Sequence, residues 1–277
     1  MLIIKDKRKK LKDIIIFLVI ILLILSVLCI NLVLKRLRPE IFKVENRTSN
    51  IEAEKQKDNT KYYKTIGWLR VEGTNIDTPI IGYNDEDIDA INIDKENYLW
   101  NENPKEKLFN KVSIMGHNIL NLSSNPDRGL PQFTRFDDLM SFVYYDFAKE
   151  NKYIEYTVDG KDYVYKIFAV SFDKQYNLNL ERKYDFSEEE LKDYIKYTKK
   201  NSIYNYDVDV NKKDKYISLV TCTRMYASLG DSSMEFVVHG RMVRENERLT
   251  NYKVTKNKNY KKIEKIMKGS AENDTNA

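Results

Sequence analysis

Hydrophobic positions along this chain fall into one long block and then many short ones. Ile14 to Leu34 is 21 residues whose clearly polar members are only Ser26 and Asn31. A helix of that length spans the hydrocarbon core of a bilayer. Residues 39–60 are polar and rich in Lys, Glu and Asn, which predicts a stalk or a helix packed on the domain that follows. Ile66–Val71 has the pattern of a strand, Glu72–Asn75 of a turn, and Ile76–Ile81 of the returning strand, with Pro79 favouring a sheet edge. Asp85–Asn110 is acidic and then irregular, with Tyr98-Leu99-Trp100 as an apolar anchor. Lys111–Met115 is a short strand pattern, and Asn121–Pro131 is a loop. Asp137–Glu150 predicts a helix, with Leu139, Val143 and Phe147 four residues apart.

The second half is more regular. Tyr153–Val158 and Lys161–Val170 alternate with period two around Asp159-Gly160, a hairpin signal. Ser187-Glu188-Glu189-Glu190 forms a capping box and opens a helix ending near Asn201, with Leu191, Tyr194, Ile195 and Thr198 on one face. Tyr216–Cys222 and Phe236–Arg241 are the last two predicted strands. Residues 246–277 are rich in Lys and Asn and predict a frayed tail. Many short strands with a few helices imply a mostly-β domain, barrel or sandwich.

Charge changes this picture in two ways. The formal net charge of +5 is uneven: residues 1–43 carry +7, residues 246–277 carry +4, and the middle is near −6. The basic character belongs to the ends, so a nucleic-acid footprint on the folded part is not supported. Lys5, Lys7, Arg8, Lys9, Lys10 and Lys12 precede the apolar block, and Lys35, Arg36 and Arg38 follow it. The heavier basic side comes first, which predicts a cytoplasmic N-terminus and an extracellular domain. The block lacks a small-x-small cleavage site, so it is expected to stay as a signal anchor. The expected divisions are a basic tail (1–13), the transmembrane anchor (14–34), a stalk or helix (35–61), the folded domain (62–245) and the tail (246–277).

The candidate chemistry is sparse. Cys222 and Cys29 are the two cysteines, and Cys29 lies in the apolar block, so a pairing is not expected. His117 and His239 are the two histidines. Cys222 ends one predicted strand and His117 follows another, so a closed barrel could bring both to one rim. A thiol there is either a small buried hydrophobe or a nucleophile held as thiolate by a nearby imidazole or guanidinium. His117 is either a loop residue bonded to backbone or the partner base. His239, between Val238 and Gly240 inside a strand, fits a core residue better. There is no CxxC or HExxH spacing, so neither a metal nor a cofactor is implied.

The ordered motifs resemble those of sortases, the membrane-anchored cysteine transpeptidases of Gram-positive bacteria, and most of all class B. Ser218-Leu219-Val220-Thr221-Cys222 is similar to the family's TLxTC signature, with Ser in the first place. Met115-Gly116-His117-Asn118 resembles the segment around its catalytic histidine. Ile66–Ile80 resembles its opening strands, Phe236–Arg241 its closing strand, and the helix from Ser187 the one typical of class B. The resemblance covers residues 62–245. It implies an eight-stranded barrel with added helices. Cys222 would attack the carbonyl after a Thr in a C-terminal sorting signal, and His117 would shuttle protons. Surface proteins carrying that signal would be the donors, and a cell-wall peptidoglycan amine the acceptor. Ser218, Thr221 and Glu235 would lie against the substrate. The chain departs from the family where an arginine is expected before the last strand: Glu235 precedes Phe236. Arg224 is the first replacement and Arg241 the alternative. A carboxylate facing the thiol would hold its proton and weaken the nucleophile. Two other outcomes stay open: a sortase-fold protein that binds without chemistry, and a cysteine peptidase using water.

Overall fold

The computed structural model describes residues 19, 21, 22, 26, 47–55, 63–83, 99–101, 107–118, 136–174, 185–226 and 234–274. The described residues of 47–247 and 252–274 form one compact unit. Most of the predicted span Ile14–Leu34, the loop Asn121–Pro131 and most of Asp85–Asn110 lie outside the described residues. No helix among the described residues is long and apolar enough to cross a membrane. Within the segment expected to be a stalk or packed helix, Thr48–Lys55 is helix α1. Ile51 is buried, and Arg47 bridges to Asp77 at 2.7 Å.

Eight strands close into a barrel. They are β1 (Tyr63–Val71), β2 (Asp77–Tyr83), β3 (Leu99–Asn101), β4 (Lys111–Met115), β5 (Tyr153–Val158), β6 (Lys161–Lys174), β8 (Tyr216–Thr223) and β9 (Met234–Met242). The order round the barrel is β1-β2-β3-β4-β8-β9-β6-β5, and β1 pairs with β5 to close it. The β2–β3 and β4–β8 pairs are parallel and the others antiparallel. Pro79 is not on an edge strand, because β2 has neighbours on both sides. It is tolerated because the β3 pairing begins one residue later, at Ile80 with Leu99. The β5–β6 hairpin turns at Asp159 (φ 54°) and Gly160 (φ 65°), the pair of left-handed residues a two-residue turn requires.

Val112, Ile114, Ile217, Leu219 and Val238 are fully buried and share one core cluster. Lys111, Ser113, Tyr216 and Ser218 alternate with them on the opposite face and are also buried. Helix α3 (Glu188–Asn201) covers that face. Its capping box is complete: Ser187 Oγ accepts from the Glu190 N–H, and the Glu190 carboxylate accepts from the Ser187 N–H. Leu191, Tyr194 and Thr198 are its buried face. Burial on both faces explains why these strands lack a clean polar–apolar alternation.

Two expectations are corrected. Asp137–Glu150 is not one helix: Phe136–Val143 is 3₁₀, Tyr144 is extended, and α2 is Tyr145–Glu150. Phe136, Leu139, Met140, Phe142 and Val143 are all fully buried, so apolar contacts surround this turn rather than forming one stripe. Nor are the described residues beyond 245 a frayed tail. Strand β10 (Val254–Lys256) pairs with β7 (Tyr204–Tyr206), and α4 spans Lys258–Asp274. Tyr252 Oη donates to the Lys152 and Ile167 carbonyls at 2.7 and 2.9 Å, and Tyr260 and Ile263 are buried.

Candidate active site

Strand β8 delivers the thiol. Every residue of β8 is buried except Cys222, one position from its end. Apolar residues anchor the strand inside the barrel wall, and the thiol emerges where the wall ends. The next turn is pinned at once: Met225 is buried and its N–H donates to Thr223 Oγ1, and the Tyr226 ring lies 5.4 Å from that of Phe172. Arg224 is left exposed between these anchors.

The imidazole comes from the neighbouring strand. β4 and β8 run parallel with Met115 opposite Val220. Past that pair, the Gly116-His117-Asn118 segment runs alongside Thr221-Cys222. Three hydrogen bonds hold the two ends together. The Gly116 N–H donates to the Val220 carbonyl at 3.2 Å, Thr221 Oγ1 donates to the Gly116 carbonyl at 2.7 Å, and Asn118 Nδ2 donates to the Cys222 carbonyl at 3.0 Å. Glycine at 116 leaves room for these contacts: a Cβ there would lie 2.4 Å from a Leu99 methyl and 3.0 Å from the Phe136 ring, so one of them would have to shift. The His117 carbonyl accepts from the Phe136 N–H at 2.8 Å, and its ring rests 5.1 Å from that of half-buried Trp100. Trp100 is opposite Met115 and packs on a small apolar patch of Met115, Val220 and Val237. Tyr98-Leu99-Trp100 was legible as an apolar anchor, but its contact with His117 was not.

Glu235 lies directly opposite Cys222 across the β8–β9 pair, and Asp173 lies opposite Glu235 across the β9–β6 pair. Cross-strand partners share a face. Thiol and carboxylates therefore form one row, with Glu235 2% and Asp173 4% exposed. Asp173 accepts from Ser171 Oγ at 2.8 Å and from Tyr197 Oη of α3 at 2.6 Å.

The other expected site residues sit elsewhere. Ser218 is fully buried under α3, hydrogen-bonded to Tyr194 and His239, so it does not face a substrate. Thr221 alternates with Cys222 and is buried. Its hydroxyl is the tie to Gly116, a positioning contact and not a substrate contact. Arg241 pairs with Tyr216, six residues along β9 from Glu235, near 20 Å at about 3.3 Å per residue. Its guanidinium is buried against Glu247 and the Asp209 and Met242 carbonyls. His239 is a core residue: Tyr194 and Ser218 meet Nδ1 at 2.9 and 3.2 Å, and Ser171 meets Nε2 at 3.0 Å. Burial, then the Lys111 charge, holds its pKa well below the usual imidazole range. Among the described residues, no group of three or more His, Cys, Asp or Glu side chains could hold a metal ion.

An exposed thiol on a strand end that is tied to a histidine segment is the kind of arrangement acyl transfer uses. Comparison with known proteins agrees. The Sortase domain model matches residues 69–243. The chain is 24% identical over 170 residues to sortase B of Staphylococcus aureus, covering 58% of this chain and 64% of that protein. It is 27% identical over 201 residues to sortase B of Listeria monocytogenes, covering 66% and 74%. A mutant form of Clostridium perfringens sortase B matches its fold with a TM-score of 0.54 at 23% identity, over 71% of this chain and 88% of that one. A Staphylococcus aureus sortase B–substrate complex matches with a TM-score of 0.53 at 20% identity, over 71% and 85%. This chain belongs to the sortase family, whose members are cysteine transpeptidases.

Proposed function

We propose that this chain is a class B-type transpeptidase that cleaves a sorting signal after threonine and transfers the upstream protein to a cell-wall amine. The observation that carries the reading is the exposed Cys222 thiol tied to the His117 segment through Gly116 and Asn118. The thiolate attacks the threonine carbonyl carbon. The C–N bond breaks as His117, protonated, gives its proton to the departing amine, and a thioester remains on Cys222. An acceptor amine then attacks the thioester and His117 takes its proton. The new amide forms, and the thiolate leaves. Arg224, exposed two residues past the thiol, is our candidate for the charge that steadies the carbonyl oxygen. The proposed setting is the outer face of a cell membrane, with Ile14–Leu34 as the anchor.

A second reading, binding of sorting signals without chemistry, is favoured by one observation: the residue opposite Cys222 is a carboxylate. Product analysis separates the readings. Incubation with a threonine-containing signal peptide should give an amide product with added glycine peptide or diamine. With Cys222→Ala it should give none. Hydrolysis alone, unaffected by amine, would indicate a peptidase; retained cleavage by Cys222→Ala would remove Cys222 as nucleophile.

A further inference from the structure

Hydrogen bonds fix the backbone around His117, but the direction of its imidazole is set by χ1 and χ2. On the side of β4 away from β8 lies β3, with Leu99 and Asn101 buried and Trp100 half-buried. Successive strand residues face opposite ways. Leu99 enters the main core and fills the space beside Gly116. Trp100 takes the other face and brings its ring to 5.1 Å from that of half-buried His117, the planes tilted by 52°. The indole is itself held. Trp100 pairs with Met115, Met115 with Val220 and Val220 with Val237, one row across β3, β4, β8 and β9. Met115, Val220 and Val237 are buried, and Trp100 packs on them. Val220 lies two positions before Cys222 and faces the same way. The surface that supports the indole is therefore part of the strand that presents the thiol.

We infer that Trp100 is a positioning residue for this same site: its ring, backed by Met115, Val220 and Val237, holds the His117 imidazole in the orientation from which it serves Cys222. The inference rests on the transpeptidase reading. A ring contact restricts side-chain rotation without engaging an imidazole nitrogen, so it steadies the ring through proton transfer in either direction. Orientation matters here because a small misplacement of a catalytic group costs about a hundredfold in rate.

The test uses the full chain and two variants. Trp100→Met keeps apolar bulk on the patch and removes the ring, and Trp100→Phe keeps a smaller ring. With a threonine-containing signal peptide, Trp100→Met should lower kcat about tenfold or more with KM little changed, and Trp100→Phe should recover most of the loss. An unchanged kcat in Trp100→Met, or a loss carried by KM alone, would overturn the inference. A second readout needs no turnover: the rate at which iodoacetamide alkylates Cys222, located by peptide mapping because Cys29 is the other cysteine. A misoriented imidazole holds the thiolate less well, so Trp100→Met should slow alkylation in the wild-type background. In a His117→Ala background it should change nothing, because Trp100 acts through the imidazole. Equal slowing in both backgrounds would show a structural role alone and overturn the inference. Slowing that needs His117, in a chain that cleaves no peptide, would support the role of Trp100 and contradict the transpeptidase reading instead.

Discussion

The Thr221 hydroxyl donates to the Gly116 carbonyl at 2.7 Å, joining the residue before the thiol to the residue before the imidazole. Both groups are buried. Thr221→Val keeps the shape and leaves the carbonyl without this donor, which should cost about 1–3 kcal/mol. Looser alignment of Cys222 and His117 should also lower kcat for peptide cleavage in protein that remains folded. Thr221→Ser should restore both. Urea denaturation and cleavage rates check this, and a normal kcat in Thr221→Val would show that the tie does not position the pair.

Arg224 and Arg241 should separate cleanly. Arg224 is exposed and Arg241 is locked against Glu247. Arg224→Ala should leave stability within about 0.5 kcal/mol. It should lower the acylation rate about a hundredfold, the scale of a lost oxyanion donor. Glu247→Ala strands Arg241 and Lys166, both buried cations that Glu247 bridges. Burial alone would push the Glu247 carboxyl up, but hydrogen bonds from Arg241 and Lys166 draw it far below the usual carboxylate range. Its loss should cost about 3 kcal/mol, while acylation per folded molecule stays near wild type. A selective loss of acylation in Glu247→Ala would return Arg241 to the catalytic account.

Stability should fall as pH drops below about 6.5, the ordinary histidine value. His239 is held neutral by burial, first, and by the Lys111 charge. Its depressed folded pKa means the unfolded chain binds the proton more readily. Its contribution is therefore complete above the unfolded value and is lost as pH falls toward the folded one, with a slope of up to about 1.4 kcal/mol per pH unit. Urea midpoints from pH 7.5 to 5 should fall more steeply for the wild type than for His239→Gln. Parallel curves would show that another group governs the acid limb.

Much of this was legible in the chain. The Asp159-Gly160 hairpin, the Ser187 capping box and the strands Lys111–Met115 and Tyr216–Thr223, the latter one residue longer than expected, follow from period, turn chemistry and capping. What was not legible depends on contacts distant in sequence. Ser218 looked like part of a substrate face because nothing local shows that Tyr194 caps it from α3, 24 residues away. Arg241 was the alternative only as one of the two arginines nearest the thiol, and its partner Glu247 follows in a segment that composition suggests is frayed. That segment folds on a few buried positions, Val254, Tyr260 and Ile263, scattered among lysines and asparagines. Deleting residues 252–277 should therefore lower the melting temperature sharply and expose β7 to proteolysis; an unchanged melting temperature would mean that the barrel stands without it.

The central claim is that Cys222 forms the acyl-enzyme. Intact-protein mass spectrometry of the full chain with a threonine-containing signal peptide, beside Cys222→Ala, tests it most directly. The account predicts a mass increase equal to the acyl fragment on the wild type alone, discharged by an added amine. A folded wild type that binds the peptide yet shows no adduct would contradict it.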